Sequence, residues 1–434
     1  MQRVLSFEQP PALSLPLRFF LIAPAFAILA GLLLLWRGPE MLVSRWTPET
    51  LAFTHLLTLG FLSMCMIGAL LQILPVVAGL EHPFGQRSAI ALPGMLASGT
   101  FALTSAFFLV SSFLFKAALL LLLSCFAWFL LALLKQVWTA PHAGPMLVAI
   151  RLALTALAAA VAFGASAAAG FAWPLSLPLL QLTDLHASWG LLGWVGLLVA
   201  GIAYQVVPMF QVTPVYPQWM TRGFAWTVFA LLALRTVASV RAADSIWSAT
   251  LTVFLAMTGV LFGLTTLHLL RQRKRPKPDA TTFFWRTALS SLIAAALLWT
   301  AGTLFPQIAG HPSYALAVGM LAIVGFGYSV VNGMLYKIIP FLVWYHLQQR
   351  LTGGCAKAPN VRQILPDQDA ERQFRLHLLA LVLLVLATVF PDWFSQISAI
   401  AFTASSVWLW RNLLKAVRLY RDMTSDPSTL RAAT

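Results

Sequence analysis

Of the eight histidines in this chain, two stand at matching places in long apolar segments. His55 lies in Thr54-His55-Leu56-Leu57-Thr58-Leu59-Gly60, and His186 lies in Asp184-Leu185-His186-Ala187-Ser188-Trp189-Gly190. A neutral imidazole is a good ligand for haem iron or copper when a second acceptor orients its other ring nitrogen. The same side chain in a membrane interior also serves as an interhelical hydrogen-bond donor. Asp184 is close enough in sequence to share the end of a helix with His186, although residues i and i+2 do not share a helix face.

The segments that must position these residues are copies of one unit. The pattern G-x7-G-x3-[Gln/Lys]-[Ile/Val]-x-P occurs at Gly60 to Pro75, Gly193 to Pro208 and Gly325 to Pro340. An internal repeat of this kind describes how the fold is assembled. At roughly 100° per residue, each copy puts its glycines, polar residue and proline on one stripe, which predicts a close-packed and kinked helix face. Gln72, Gln205 and Lys337 share one register of the repeat, where polar groups are costly in a membrane and turn inward; they are expected to line a vestibule or pore. His55 precedes its glycine by five residues and His186 by seven, about 200° apart in the repeat frame, which predicts two different pockets.

With 60% hydrophobic and only 9% charged residues in 434, the chain is too apolar for a soluble core. Twelve membrane-spanning helices are predicted near 17-36, 50-78, 88-110, 113-135, 147-171, 178-210, 222-242, 245-270, 283-304, 313-347, 375-391 and 394-417. Placing both termini inside puts all but six of the 28 Lys and Arg on the inner side. Arg37, Arg45, Lys116 and Arg241 fall outside, and Arg235 and Lys337 fall within spans. The run Arg271, Arg273, Lys274, Arg275, Lys277 anchors that orientation, so the net charge of +15 needs no nucleic-acid partner. Cys65, Cys125 and Cys355 form no C-x-x-C and no disulfide framework. The first apolar stretch, preceded by Arg3 and Arg18 and without a small-residue cleavage site, reads as a retained helix. The inner loops at 271-282 and 350-373, with Pro276, Pro278, Pro359 and Pro366, are too short for a domain. The expectation is therefore one transmembrane domain, 1-434.

Twelve spans over three repeats make units of four helices, at about 1-135, 136-270 and 271-434, with the motif on the second helix of each. Transporters of the major facilitator type are built as two halves of six, and their signature between spans 2 and 3 is unmatched by Gly79-Leu-Glu-His-Pro-Phe-Gly-Gln-Arg87. The 4+4+4 plan, with His55 and His186 in spans 2 and 6, resembles the catalytic subunit of the haem-copper oxidases, whose branches include the NnrS-like haem and copper membrane proteins. The resemblance implies that His55 is an axial ligand of a low-spin haem and that His186 belongs to a copper site. It also exposes a departure. Where that family carries H-x-H in span 10, this chain has Val318-Gly319-Met320, and span 7 (222-242) has no histidine. Most of an oxygen-reducing site is missing.

If His55 holds iron, Met320 at the corresponding register, or His311 at the start of the same helix, is a candidate for the sixth position. Arg235, thirteen residues into a span, must pair or reach water; Asp184, Glu49 and a haem propionate are its candidate partners. His82, His142, His268, His346 and His377 fall at inner ends of spans, where solvated or interfacial roles are the expectation. Tyr204, Tyr328 and Tyr336 lie within motif helices and are placed to hydrogen-bond across the bundle.

The expected function is a haem-binding, and in one version copper-binding, bacterial inner-membrane protein without oxygen reduction. Its roles would be haem or copper handling, nitric oxide response or respiratory electron transfer, beside other respiratory or assembly proteins. Two other classes remain open: a small-solute or metal-ion transporter using Gln72, Gln205 and Lys337, and an assembly factor that binds no cofactor.

Overall fold

The structure is a computed structural model that describes residues 12–78, 88–140, 144–241, 245–275, 277–351 and 358–425. Arg3, His82, His142, Pro276 and Cys355, and the 79-87 loop, lie outside the described residues. Among those described, the chain is helical throughout and contains no strand. We number the long helices α1 (Ser14–Arg37), α2 (Pro48–Pro75), α3 (Ser88–Leu109), α4 (Ser112–Thr139), α5 (Pro145–Ala172) and α6 (Leu179–Gln211). There follow α7 (Gln218–Arg241), α8 (Ile246–Arg271), α9 (Ala280–Leu304), α10 (Pro312–Leu351), α11 (Asp367–Val389) and α12 (Pro391–Ser425).

The first eleven are long and apolar enough to cross a membrane. The twelfth expected span lies inside α12, which is more polar because its buried face carries Ser395, Ser398, Ser405, Ser406 and Asn412. Outward-facing Phe113, Leu131 and Trp247 are each more than 70% exposed, as a lipid-facing surface requires. Local signals start the helices. Thr47, Ser111, Ser245 and Asp279 accept hydrogen bonds from the backbone N–H three residues on, satisfying donors that a helix start leaves free. Prolines 75, 208 and 340 sit within their helices without ending them.

All three motif helices share a feature that the repeat did not announce. Each widens into a π-helical segment at Leu56–Ser63, Trp189–Gly196 and Leu321–Tyr328. The motif glycines lie in or beyond these segments, and they are contact points. An added β-carbon would meet Phe26 at Gly60 and Phe19 at Gly68, both on α1. At Gly193 and Gly201 it would meet Ala156 and Ala149 on α5, and at Gly325 and Gly333, Ser291 and Phe284 on α9. Each motif helix thus presses its glycines against the long helix immediately before it. The packing role expected of these glycines is what the structure shows.

Candidate functional site

The two histidines meet. His55 and His186 have ring centroids 6.1 Å apart and ring planes within 20° of parallel. Both line a cavity of about 210 Å³ and a neighbouring one of about 230 Å³. The expectation of separate pockets is therefore corrected. Neighbouring helices present opposite flanks to the space between them, so two residues at different angles in the repeat frame converge when one sits on α2 and the other on α6. The π-helical turns, which carry more residues per turn than an α-helix, further shift the angles that uniform α spacing assigns.

Each imidazole is held by its Nδ1. That of His55 lies 2.7 Å from the Leu51 carbonyl one turn earlier, and that of His186 lies 2.9 Å from the Ala160 carbonyl on α5. A carbonyl oxygen only accepts, so Nδ1 carries the proton in both rings and Nε2 is left with its lone pair. Neither Nε2 has a hydrogen-bond partner among the described residues. This is the tautomer that binds a metal through Nε2 while a backbone acceptor fixes the ring.

The surroundings are small and apolar. Gly164 passes so close to His186 that a β-carbon there would stand 2.7 Å from the ring. Phe107 stacks on His55 from the other side, with centroids 5.5 Å apart. At one end of the first cavity, Trp194 Nε1 donates to Ser63 Oγ at 3.4 Å, tying α6 to α2. At the mouth of the second, Trp46 is covered by the Arg45 guanidinium, which also pairs with Asp184 at 2.8 Å. Asp184 is accordingly an ion-pair partner at the helix end. Gly164, Phe107, Trp194 and Ser63 belong to the site but were not singled out beforehand: nothing in a one-dimensional pattern marks α3 and α5 as its walls, or shows which flanks of α2 and α6 face each other.

The other candidates lie elsewhere. Met320 is buried in the core and His311 caps α10, its Nδ1 accepting from Ser313 N–H at 3.3 Å; neither lines the histidine cavities. Arg235 donates to Ser188 Oγ at 3.0 Å and Thr252 Oγ1 at 3.1 Å and lies over the Trp299 ring, so neutral hydroxyls and an aromatic face solvate it. Gln72 and Gln205 share a cavity of about 470 Å³, but Lys337 does not line it. Lys337 instead pairs with Asp279 at 2.8 Å, which corrects the expected ring of three. His377 is fully buried, with Nε2 2.7 Å from Ser329 Oγ, and so is not solvated as expected; α11 turns this residue toward α10.

No cluster of three or more His, Cys, Asp or Glu side chains able to hold a metal occurs among the described residues. His55 and His186 offer two nitrogens. Two metal–nitrogen bonds of about 2 Å plus the ring radii span about 6 Å, which matches the separation found. A haem, whose porphyrin supplies four ligands of its own, needs only two more from protein. Comparison of the sequence with known protein families and with characterised proteins returns no match.

Proposed function

We propose that this is a haem-binding bacterial inner-membrane protein in which His55 and His186 are the two axial ligands of one iron, on a twelve-span 4+4+4 plan related to the haem-copper oxidases. The observation that carries the reading is the pair of nearly parallel imidazoles, 6.1 Å apart, each with Nδ1 on a backbone carbonyl. The flanking cavities give room beside the rings, and the close approach of Gly164 holds the His186 ring in place. Haem held by two imidazoles supplies one-electron redox chemistry, with both iron faces taken. Electron transfer therefore suits the site better than oxygen reduction or nitric oxide capture. The basic-residue bias supports a topology with both termini in the cytoplasm and this site in the outer half of the membrane. Lys116, on the same side, would be available to acidic groups of the ligand or of a respiratory partner.

Absorption spectroscopy of the purified protein tests this. The expected result is a Soret band with low-spin features, lost or strongly shifted in both His55→Ala and His186→Ala while the protein still inserts. Full haem content with an unchanged spectrum in either variant overturns the assignment.

A second reading, one copper(I) ion held between the same two nitrogens, is favoured by the absence of a third converging ligand among the described residues. It predicts a colourless protein that retains one copper per chain, lost in the same variants.

A further inference from the structure

Six residues into α9, about 9 Å along its axis, Arg286 breaks an otherwise uncharged membrane helix. It shares an outward stripe with Ser290, Ala294 and Leu297, which follow at steps of three or four residues and are exposed on the bundle surface. Arg286 is half-buried and has neither a hydrogen bond nor an ion pair among the described residues. A guanidinium does not shed its charge, so at a lipid-facing position it must meet an anion or water. The turn before α9 adds more charge. Lys274 N–H donates to the Val212 carbonyl at 2.9 Å, which fastens that turn to the end of α6. Arg273 Nη1 donates to the Lys277 carbonyl and to Thr282 Oγ1, each at 3.3 Å. Thr282 and Arg286 are one turn apart on the same face of α9. Burial and the nearby Arg286 charge hold the Arg273 guanidinium below its ordinary range, and Asp279 offsets only part of this. Between 271 and 286 stand Arg271, Arg273, Lys274, Arg275, Lys277 and Arg286 against a single carboxylate, Asp279. That carboxylate is committed, one oxygen to Lys337 and the other to Thr282.

Membrane orientation alone does not ask for this arrangement. Exposed Lys274, Arg275 and Lys277 already supply the topological signal. An unpaired arginine inside the span, on the face turned to lipid and beside a second arginine, is a further feature, and what reaches it from its open side is lipid. The phosphate of a phospholipid lies between water and hydrocarbon, and its two free oxygens match a guanidinium fork. Acyl chains below it would run along the outward lanes, Ser290, Ala294 and Leu297 on α9 and Leu261 and Leu264 on α8. A zwitterionic headgroup carries a cation of its own into this field, whereas an anionic headgroup does not. We propose that the α8–α9 hairpin binds one anionic phospholipid, with its phosphate between Arg273 and Arg286 and its chains on those lanes. The inference is independent of any cofactor at His55 and His186.

Native mass spectrometry of the detergent-purified protein, given phosphatidylglycerol and phosphatidylcholine in equal amounts, tests this. The wild type should retain one phosphatidylglycerol, preferred about tenfold over phosphatidylcholine. Arg286→Gln and Arg273→Gln should each lose most of that preference, while Arg275→Gln, which removes the same charge from the exposed part of the loop, should keep it. Arg286→Lys keeps the charge without the fork and should weaken retention about threefold; it serves as the test where the glutamine variant is unstable. No preference in the wild type overturns the proposal, and so does an equal loss in all three glutamine variants, which would mark a diffuse field of the loop. Displacement of the lipid by millimolar inorganic phosphate would assign the arginines to a soluble oxyanion and overturn it too. Neither histidine enters this readout, so failure here leaves the haem assignment standing and the reverse also holds.

Discussion

A β-carbon placed on Gly164 would stand 2.7 Å from Cε1 and Nδ1 of His186, so the imidazole of α6 rests in a groove on the backbone of α5. The same ring is fixed by the Ala160 carbonyl one turn earlier on α5. Gly164→Ala should therefore push the ring off that carbonyl without removing the imidazole. We predict about tenfold weaker cofactor retention, the scale of a lost orienting contact behind a ligand, with membrane insertion unchanged. Titration of the apoprotein with hemin measures it, and unaltered affinity would mean that His186 is not a ligand.

The motif glycines give a second prediction, about stability. A β-carbon at Gly60 would lie 2.3 Å from the Phe26 ring, and one at Gly201 would lie 2.5 Å from the Ala149 β-carbon. Neither neighbour is a flexible chain end. Gly60→Leu and Gly201→Leu should each cost about 1–3 kcal/mol by overpacking, whereas Gly94→Leu, with open space around it, should be near neutral. Thermal denaturation in detergent separates these outcomes, and equal melting temperatures for all three variants would contradict the packing assignment.

How much of this was legible beforehand depended on the kind of information needed. Composition and the Gly-Pro rhythm were enough for an all-helical membrane chain and for packing at Gly60, Gly193 and Gly325, because both follow from local periodicity. The matching places of His55 and His186 along their motif helices were also legible. Their meeting was not, since it depends on which flank of α2 faces which flank of α6, and on π-helical turns that break uniform spacing. Lys337 was read as a pore residue from its register alone; its partner Asp279 is 58 residues earlier, at the start of α9, and only the fold brings them together. His377 was misplaced because α11 begins at Asp367, ten residues before it, so the side chain lies well inside the helix and packs against α10.

The Lys337–Asp279 pair supports a pH prediction. Its side chains are 18% and 17% exposed. Burial pushes the Asp279 carboxyl up, but the Lys337 ammonium at 2.8 Å and the Thr282 N–H and hydroxyl outweigh it and hold the carboxyl below its ordinary value. A carboxyl with a depressed folded-state pKa adds stability that is fully present above its unfolded-state value and is lost as pH falls through the folded-state value. Stability should thus drop below about pH 4. In Lys337→Met that acid-dependent part should vanish, and the protein should be about 2 kcal/mol less stable at pH 7, because Asp279 stays partly buried without its cation. Denaturation midpoints measured from pH 3 to pH 7 for both proteins would show it; parallel curves would remove the pair from the stability account.

The last prediction concerns oxygen. In the haem-copper oxidases, whose plan we propose for this chain, the reducing site takes histidines from spans 6, 7 and 10, while the span 2 histidine serves the low-spin haem. Here α7 has no histidine, and the register in α10 reads Val318-Gly319-Met320. Met320 is packed in the core and His311 is spent on the α10 cap, so neither replaces a missing ligand beside His55 and His186. If both imidazoles are committed to one iron, that iron has no open position for oxygen. Haem-loaded protein should therefore consume oxygen no faster than a protein-free control when supplied with a reduced quinol or cytochrome. In His186→Ala the opened iron face should bind carbon monoxide, a band that the wild type lacks. Sustained oxygen uptake by the wild type, free of contaminating oxidase, or carbon monoxide binding equal in both proteins, would show that the two histidines do not close the site from both faces.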